Sequence, residues 1–420
     1  MRTFLNRQLL VQLLLAAGAL SCIATARDPH LAARAANAAA TGIPLEEVKH
    51  GSLGDKAGLQ AGDLLLAWRL PAMPPNARAE GRFCSPFDVY EVEREQAPRG
   101  VITLTGRRGD APMHWIIAAK EGWGVRPGLP LSSRKDSYRQ GLERFAAGDV
   151  QGGAASLRRS EAALERSGDF ESASWVALRE GQLADEHGAW DAAQEGVAAA
   201  LRIARLHCSP TVVSHVDYFA AIAYGRHEQL QRAGELLENA LALREKVAPA
   251  SISSTAILSL IAYTRSRQGD IAGAERALDT ALEITRRLAP DSWALAKILS
   301  NLGIVLSSRG DLAGAEEHLR RALELDEKLS PDSLYLADDL VVLGKIARKR
   351  NDPTAAEAYE RRALELRRRL APDSEAVAKS LTDVALSLVA QDNLSEAESY
   401  WRQACLSRHS PCPAPCHRGS

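Results

Sequence analysis

The residues of this chain best equipped for chemistry sit at its far end. The stretch CLSRHSPCPAPCHRGS, residues 405–420, gathers Cys405, Cys412 and Cys416 with His409 and His417, out of six cysteines and ten histidines in 420 residues. Thiols and imidazoles this close could ligate zinc, or the thiols could pair. Zinc ligands come as closely paired side chains on a folded turn, whereas the "PAP" between Cys412 and Cys416 favours extended backbone. Residues 408–420 therefore read as a disordered tail, with a local disulfide as the alternative. Two other constellations are incomplete. "SSRK" at Ser132–Lys135 has the Ser-x-x-Lys spacing of an acyl-transfer nucleophile, but its partner motifs S-D-N and K-T-G are absent. His227-Glu228 begins a zinc motif whose second histidine is missing. With no P-loop, GxGxxG or GxSxG either, the reading assigns no catalytic residue, no cofactor and no metal, and takes the protein as noncatalytic.

Charge narrows the partners. The 52 basic and 53 acidic side chains leave a net charge of −1, so no global field draws the chain to nucleic acid or anionic lipid. Residues 1–26 have the form of an export signal: Arg2 and Arg7, the apolar run "LLVQLLLAAGAL", then small residues Ala24–Ala26 before Arg27. The expectation is an exported protein, periplasmic or secreted, with Cys22 as a lipid-anchor alternative and no other membrane contact. Outside the cytoplasm thiols can pair; Cys84 and Cys208 stand alone in sequence and read as ordinary buried or isolated thiols.

Whatever binds must be positioned by the elements between these ends. Residues 42–68, GIPLEEVKHGSLGDKAGLQAGDLLLAW, read as a strand, a glycine turn, a short helix and a second strand. A helix opened by Ser85-Pro86 follows, then strands "GVITLTG" and "MHWIIAA" joined by a polar turn. The "RGD" at Arg108–Asp110 falls in that turn, where Gly-Asp is ordinary turn chemistry. Residues 40–120 resemble the PDZ domain of bacterial envelope proteases. That resemblance implies β-strand addition of a peptide C-terminus, its carboxylate held by a Gly-containing loop expected upstream of Gly42. No such loop is visible there, so the alternative is a docking or spacer domain. Residues 121–133 read as a linker.

From residue 134 to 407 the pattern is helical with a period of 41 residues. "VAPAS" at 247, "LAPDS" at 288, "LSPDS" at 329 and "LAPDS" at 370 mark it. Small residues recur in phase: Gly141, Gly181, Ala221, Ala262, Gly303, Gly344 and Ala385 on first helices, and Gly153, Ala193, Ala233, Ala274, Ala315, Ala356 and Ala397 on second helices. Close helix crossing needs such residues, with Leu299, Leu302, Leu306 and Leu319 filling the flanks. Gly-Asp at 269–270 and 310–311 ends one helix and caps the next, and "SEAE" at Ser395–Glu398 reads as a capping box. The seven units resemble tetratricopeptide repeats of the longer, kinesin-light-chain-like kind, as in GDLAGAEEHLRRALELDEKLSPDS.

The expected fold class is mainly α: a right-handed superhelix of tetratricopeptide repeats (TPR) preceded by a small α+β PDZ-like domain. Such arrays bind peptides or helices on a concave face lined by first helices. Arg267, Lys297, Lys345, Arg348, Lys349 and Lys379 would form a basic stripe there, the expected contact for protein or peptide partners. The whole chain also resembles the front part of bacterial proteins that end in a caspase-like (CHAT) peptidase domain. Two readings follow: a noncatalytic interaction scaffold of the bacterial cell envelope, or a regulatory or truncated member of that peptidase family.

Overall fold

The computed structural model describes residues 42–74, 76–118, 122–133 and 136–407. Residues 1–26, read above as an export signal, Cys22, the expected carboxylate loop and the tail with Cys412 and Cys416 lie outside them. The protein is mainly helical, and the chain divides within one helix into a unit through Thr264 and a unit from Arg265.

The first unit opens with an antiparallel sheet. Strands β1 (Ile43–Val48), β2 (Leu64–Leu70), β3 (Ala79–Arg82), β4 (Ile102–Arg108), β5 (Ala111–Ile117) and β6 (Val125–Pro127) lie in the order β5-β4-β2-β1-β6, with β3 also paired to β2. Alternation in β4 sends Ile102 and Leu104 into a core shared with Ile43, Leu65, Phe83 and Trp115. A register shift between Leu65 and Ala67 brings the backbone of β2 onto Gly106, where a Cβ would lie 2.0 Å from the Leu64 carbonyl oxygen. The short helix α1 (Leu53–Lys56) is capped by Ser52, and α2 (Pro86–Glu91) by a capping box of Ser85 and Asp88. Beyond α2 the chain continues in π and 3-10 turns through Val92–Gln96 and Ala97–Arg99.

The segment read as a linker is part of this sheet. β6 pairs with β1, Trp123 is fully buried, and the Trp123 and Gly124 carbonyls accept from Gly54 and Lys49. Three strand residues ending in proline carry too little alternation to be seen in sequence. The Arg108 of the RGD turn is committed inward: its guanidinium donates to Asp63 at 2.7 and 2.9 Å and to the Gly58 carbonyl at 2.6 Å.

Helical hairpins follow: α3 (Asp136–Ala146) with α4 (Val150–Ser167), α5 (Phe170–Glu186) with α6 (Trp190–His207), and α7 (Pro210–Arg226) with α8 (Leu230–Val247). Helix α9 (Ile252–Arg267) contains the division between units. The small residues lie at the crossings; a Cβ on Gly196 would sit 2.6 Å from the Gly181 nitrogen.

The second unit contains α10 (Ile271–Leu288) and three hairpins, α11 (Trp293–Arg309) with α12 (Leu312–Leu329), α13 (Leu334–Lys349) with α14 (Pro353–Leu370), and α15 (Glu375–Val389) with α16 (Leu394–Ser407). Two of the Pro-Asp-Ser loops deliver their serines as caps, Ser292 to Leu295 N–H and Ser333 to Leu336 N–H, whereas the Ser374 hydroxyl turns back to the Ala371 carbonyl. Asp270, Asp311 and Asp352 cap the second helices. At the last hairpin Ser395 lies inside α16, not before it, and Asn393 takes the flanking position with its amide donating to Glu396. Cys405 is disulfide-bonded and Cys208 is a free thiol. No helix among the described residues is long and apolar enough to cross a membrane.

Candidate partner-binding surface

The repeat period places equivalent residues on one face of the first helices. Six positions before the small residue stand Trp175 on α5, His215 on α7, Lys297 on α11, Asp338 on α13 and Lys379 on α15. Two positions before it stand Arg179, Phe219, Asn301, Val342 and Asp383, and one position after it Ile304, Lys345 and Leu386. In the two units this face has opposite fates.

In the first unit it is covered by the N-terminal module. Phe87 meets Trp175 edge-on with ring centroids 5.5 Å apart and stacks on His215 at 6.1 Å; Tyr90 meets Trp175 at 5.9 Å and Phe219 at 5.1 Å. Glu91 binds Arg244 of α8 with two contacts of 2.9 Å and His215 Nε2 at 2.9 Å. Burial pushes the Glu91 carboxyl up, but the hydrogen bond from His215 and the Arg244 charge outweigh it and hold it down at about 2. Burial pushes His215 down to about 4, against the pull of Glu91. The contact thus joins a carboxylate, a neutral imidazole and a guanidinium. One turn on, the Arg94 guanidinium lies 4.1 Å over the Tyr218 ring, and Glu95 accepts from Ser253 N–H at 2.7 Å. Tyr138 of α3 donates to Glu46 of β1 at 2.6 Å. As a result α5 is buried almost all round from Ser172 to Ala184.

In the second unit the same face is open. Ile304 is 43% exposed, Leu386 44% and Tyr335 56%, beside exposed Lys297, Lys345, Lys349 and Lys379. Lys379 pairs with Glu375 at 3.3 Å, and Lys349 donates to the Ser307 carbonyl and hydroxyl. Lys297 and Lys345 have no carboxylate within ion-pair distance among the described residues. Arg267 is exposed at the end of α9.

Arg348 does not belong to the stripe. Its guanidinium turns between helices to pair with the fully buried Glu360 of α14 and with Asp383 of α15, and the Glu360 carboxylate also accepts from Ser387. Burial pushes the Glu360 carboxyl up to about 7 even so. Arg348 lies four positions after Gly344, on the side facing the second helix, so it works as an internal ion-pair partner.

The other constellations are also structural. Ser133 donates to Asp169, while Lys135 lies outside the described residues. His227 binds Asp185 at 2.6 Å and stacks on Trp190. Among the described residues no group of three or more His, Cys, Asp or Glu is arranged to hold a metal. Sequence reasoning missed Trp175, His215 and Phe219; the signal was aromatic side chains where later repeats place lysine, aspartate and asparagine.

Comparison with known proteins agrees with the repeat period. Residues 253–328 and 294–369 match the family model for the tetratricopeptide repeat. No curated protein matches the chain. Among solved structures, BtubC (BKLC) from P. vanneervenii is 21% identical, covering 63% of this chain and 96% of that one, with a TM-score of 0.43. A Podosopora anserina putative kinesin light chain with nearly identical TPR-like repeats is 17% identical, covering 47% and 97%, with a TM-score of 0.41. The apo quorum sensor NprR from B. thuringiensis is 13% identical, covering 64% and 75%, with a TM-score of 0.48. Residues 253–369 carry tetratricopeptide repeats, and the two matches start 41 residues apart, at the period read from the sequence.

Proposed function

We propose that this protein is a noncatalytic interaction scaffold of the bacterial cell envelope that holds protein or peptide partners on the first-helix face of its second unit. One observation carries the reading: positions covered by the protein's own module on α5 and α7 recur uncovered on α11, α13 and α15, with apolar side chains set among lysines. The PDZ-like module then serves as a fixed docking piece. Its Trp123 N–H, in the Gly-containing turn before β6, is already taken by the Glu93 carboxylate at 2.6 Å. Export rests on residues 1–26, and kinship with the front part of CHAT peptidase proteins rests on the order of module and repeats. The test is selection of a random peptide display library on the purified protein, followed by counter-screening against Lys297→Glu/Ile304→Asp/Lys345→Glu. Enriched peptides should lose the variant by at least tenfold. A library that yields none, or peptides indifferent to all three changes, overturns the reading.

A further inference from the structure

We infer that the open face of the second unit takes a short amphipathic helix with aromatic and carboxylate side chains one turn apart, the chemistry that α2 presents to the first unit. This rests on the proposed function and names the partner's kind.

The repeats make the protein its own precedent. Four contacts of α2 fall on three residues fixed by the period: Phe87 and Tyr90 on Trp175, Tyr90 on Phe219, and Glu91 on His215. Phe87, Tyr90 and Glu91 stand at i, i+3 and i+4, on one helical side. In the second unit the position of His215 is held by Lys297 and Lys379, cations suited to a carboxylate. Lys345, two turns beyond that position on α13, is equally without a carboxylate partner among the described residues. Apolar surface for an aromatic ring lies alongside: Ile304 and Leu386 at the position of Lys345 in neighbouring repeats, and Val342, half-buried, between them. Asp338 does not repel the ligand as a free charge would, because Arg367 binds it.

The dimensions agree. From Lys297 to Ile304 is about 10 Å along α11, and three neighbouring helices make a face about 20 Å wide. Pro86–Gln96 as a helix is about 16 Å long. Charge complementarity selects an acidic helix over a basic one, and exposed Tyr335 and Leu334 at the start of α13 favour an aromatic-bearing one.

The probe is a fluorescein-labelled peptide of residues 85–99, SPFDVYEVEREQAPR, titrated with the full chain by fluorescence anisotropy. Binding should weaken at least tenfold for Lys297→Glu/Lys345→Glu, at least fivefold for the peptide with Phe87 and Tyr90 changed to alanine, and at higher salt. Circular dichroism of the protein variant should be unchanged, because both lysines are exposed. No binding overturns the inference, as does binding indifferent to the double charge reversal. Library peptides that are neutral or basic yet lose the triple variant would overturn the inference and leave the proposed function standing. Failure of every peptide class would remove both.

Discussion

Replacing Glu91 by alanine tests the attachment of the N-terminal module. The Arg244 side chain is 3% exposed and His215 2%, and Glu91 is the carboxylate that both meet. The substitution leaves a guanidinium buried without its counter-charge, a defect that costs about 3–5 kcal/mol. Removing the cation instead, as Arg244→Met, leaves a carboxylate 28% exposed and still bonded to His215, so the loss should be smaller, about 1–3 kcal/mol. The double change Glu91→Gln/Arg244→Met removes both charges and should fall within about 2 kcal/mol of the parent. Urea titration gives the stabilities. Hydrogen exchange over residues 86–96 and 212–219 shows where protection is lost. The pH sign is fixed by Glu91, held down at about 2: its contribution is present above the unfolded value near 4.5 and lost as pH falls through about 2. If Glu91→Ala costs under about 1 kcal/mol at pH 7.5, or if the double change is as damaging as the single one, the buried pair does not fasten the module.

Two further outcomes are expected. Burial pushes Asp339 up to about 7; one oxygen is bonded by Ser300 and the other has no partner. The folded state takes up this proton before the unfolded one, so Asp339 costs stability above about pH 7, and the cost disappears as pH falls towards 4. Asp339→Asn should therefore raise the stability at pH 7.5 by up to about 4 kcal/mol and have little effect at pH 4.5, read by calorimetry as a higher melting temperature at the first pH only. For export, intact-mass analysis of the protein purified from periplasm should find a new N-terminus at Arg27; a lipid-shifted mass at Cys22 would establish the anchored alternative, and an uncleaved protein in the cytoplasm would refute both.

The repeats were legible because a close helix crossing tolerates only Gly or Ala, so one physical requirement prints the same residues every 41 positions. The Asp caps were legible too, whereas Ser395 lies two positions too far along. What stayed hidden depended on contacts far apart in sequence. His215 and Trp175 look like core residues until Glu91 and Phe87 arrive from the module. Arg348 sits between Lys345 and Lys349, and adjacency on a helix suggested one shared face. Its true partner was foreshadowed by Glu360, an acid at the position where Leu278 and Leu319 are buried in earlier repeats. An acid in a leucine's place demands a cation.

The fastening of the module to α7, α8 and α9 also sets the order in which the protein can be completed. Glu91 must find His215, 124 residues later, and Arg244, 153 residues later, and Glu95 must find Ser253, 158 residues later. In the second unit Lys349 reaches back only 42 residues, to Ser307. Loop closure makes the long contacts slow and the short ones fast. During synthesis the module emerges first, yet it must wait, its aromatic helix bare, until three hairpins have followed it out. The module is thus completed only after α7, α8 and α9 have been made, and Phe87 and Tyr90 are the apolar surface left bare in the interval.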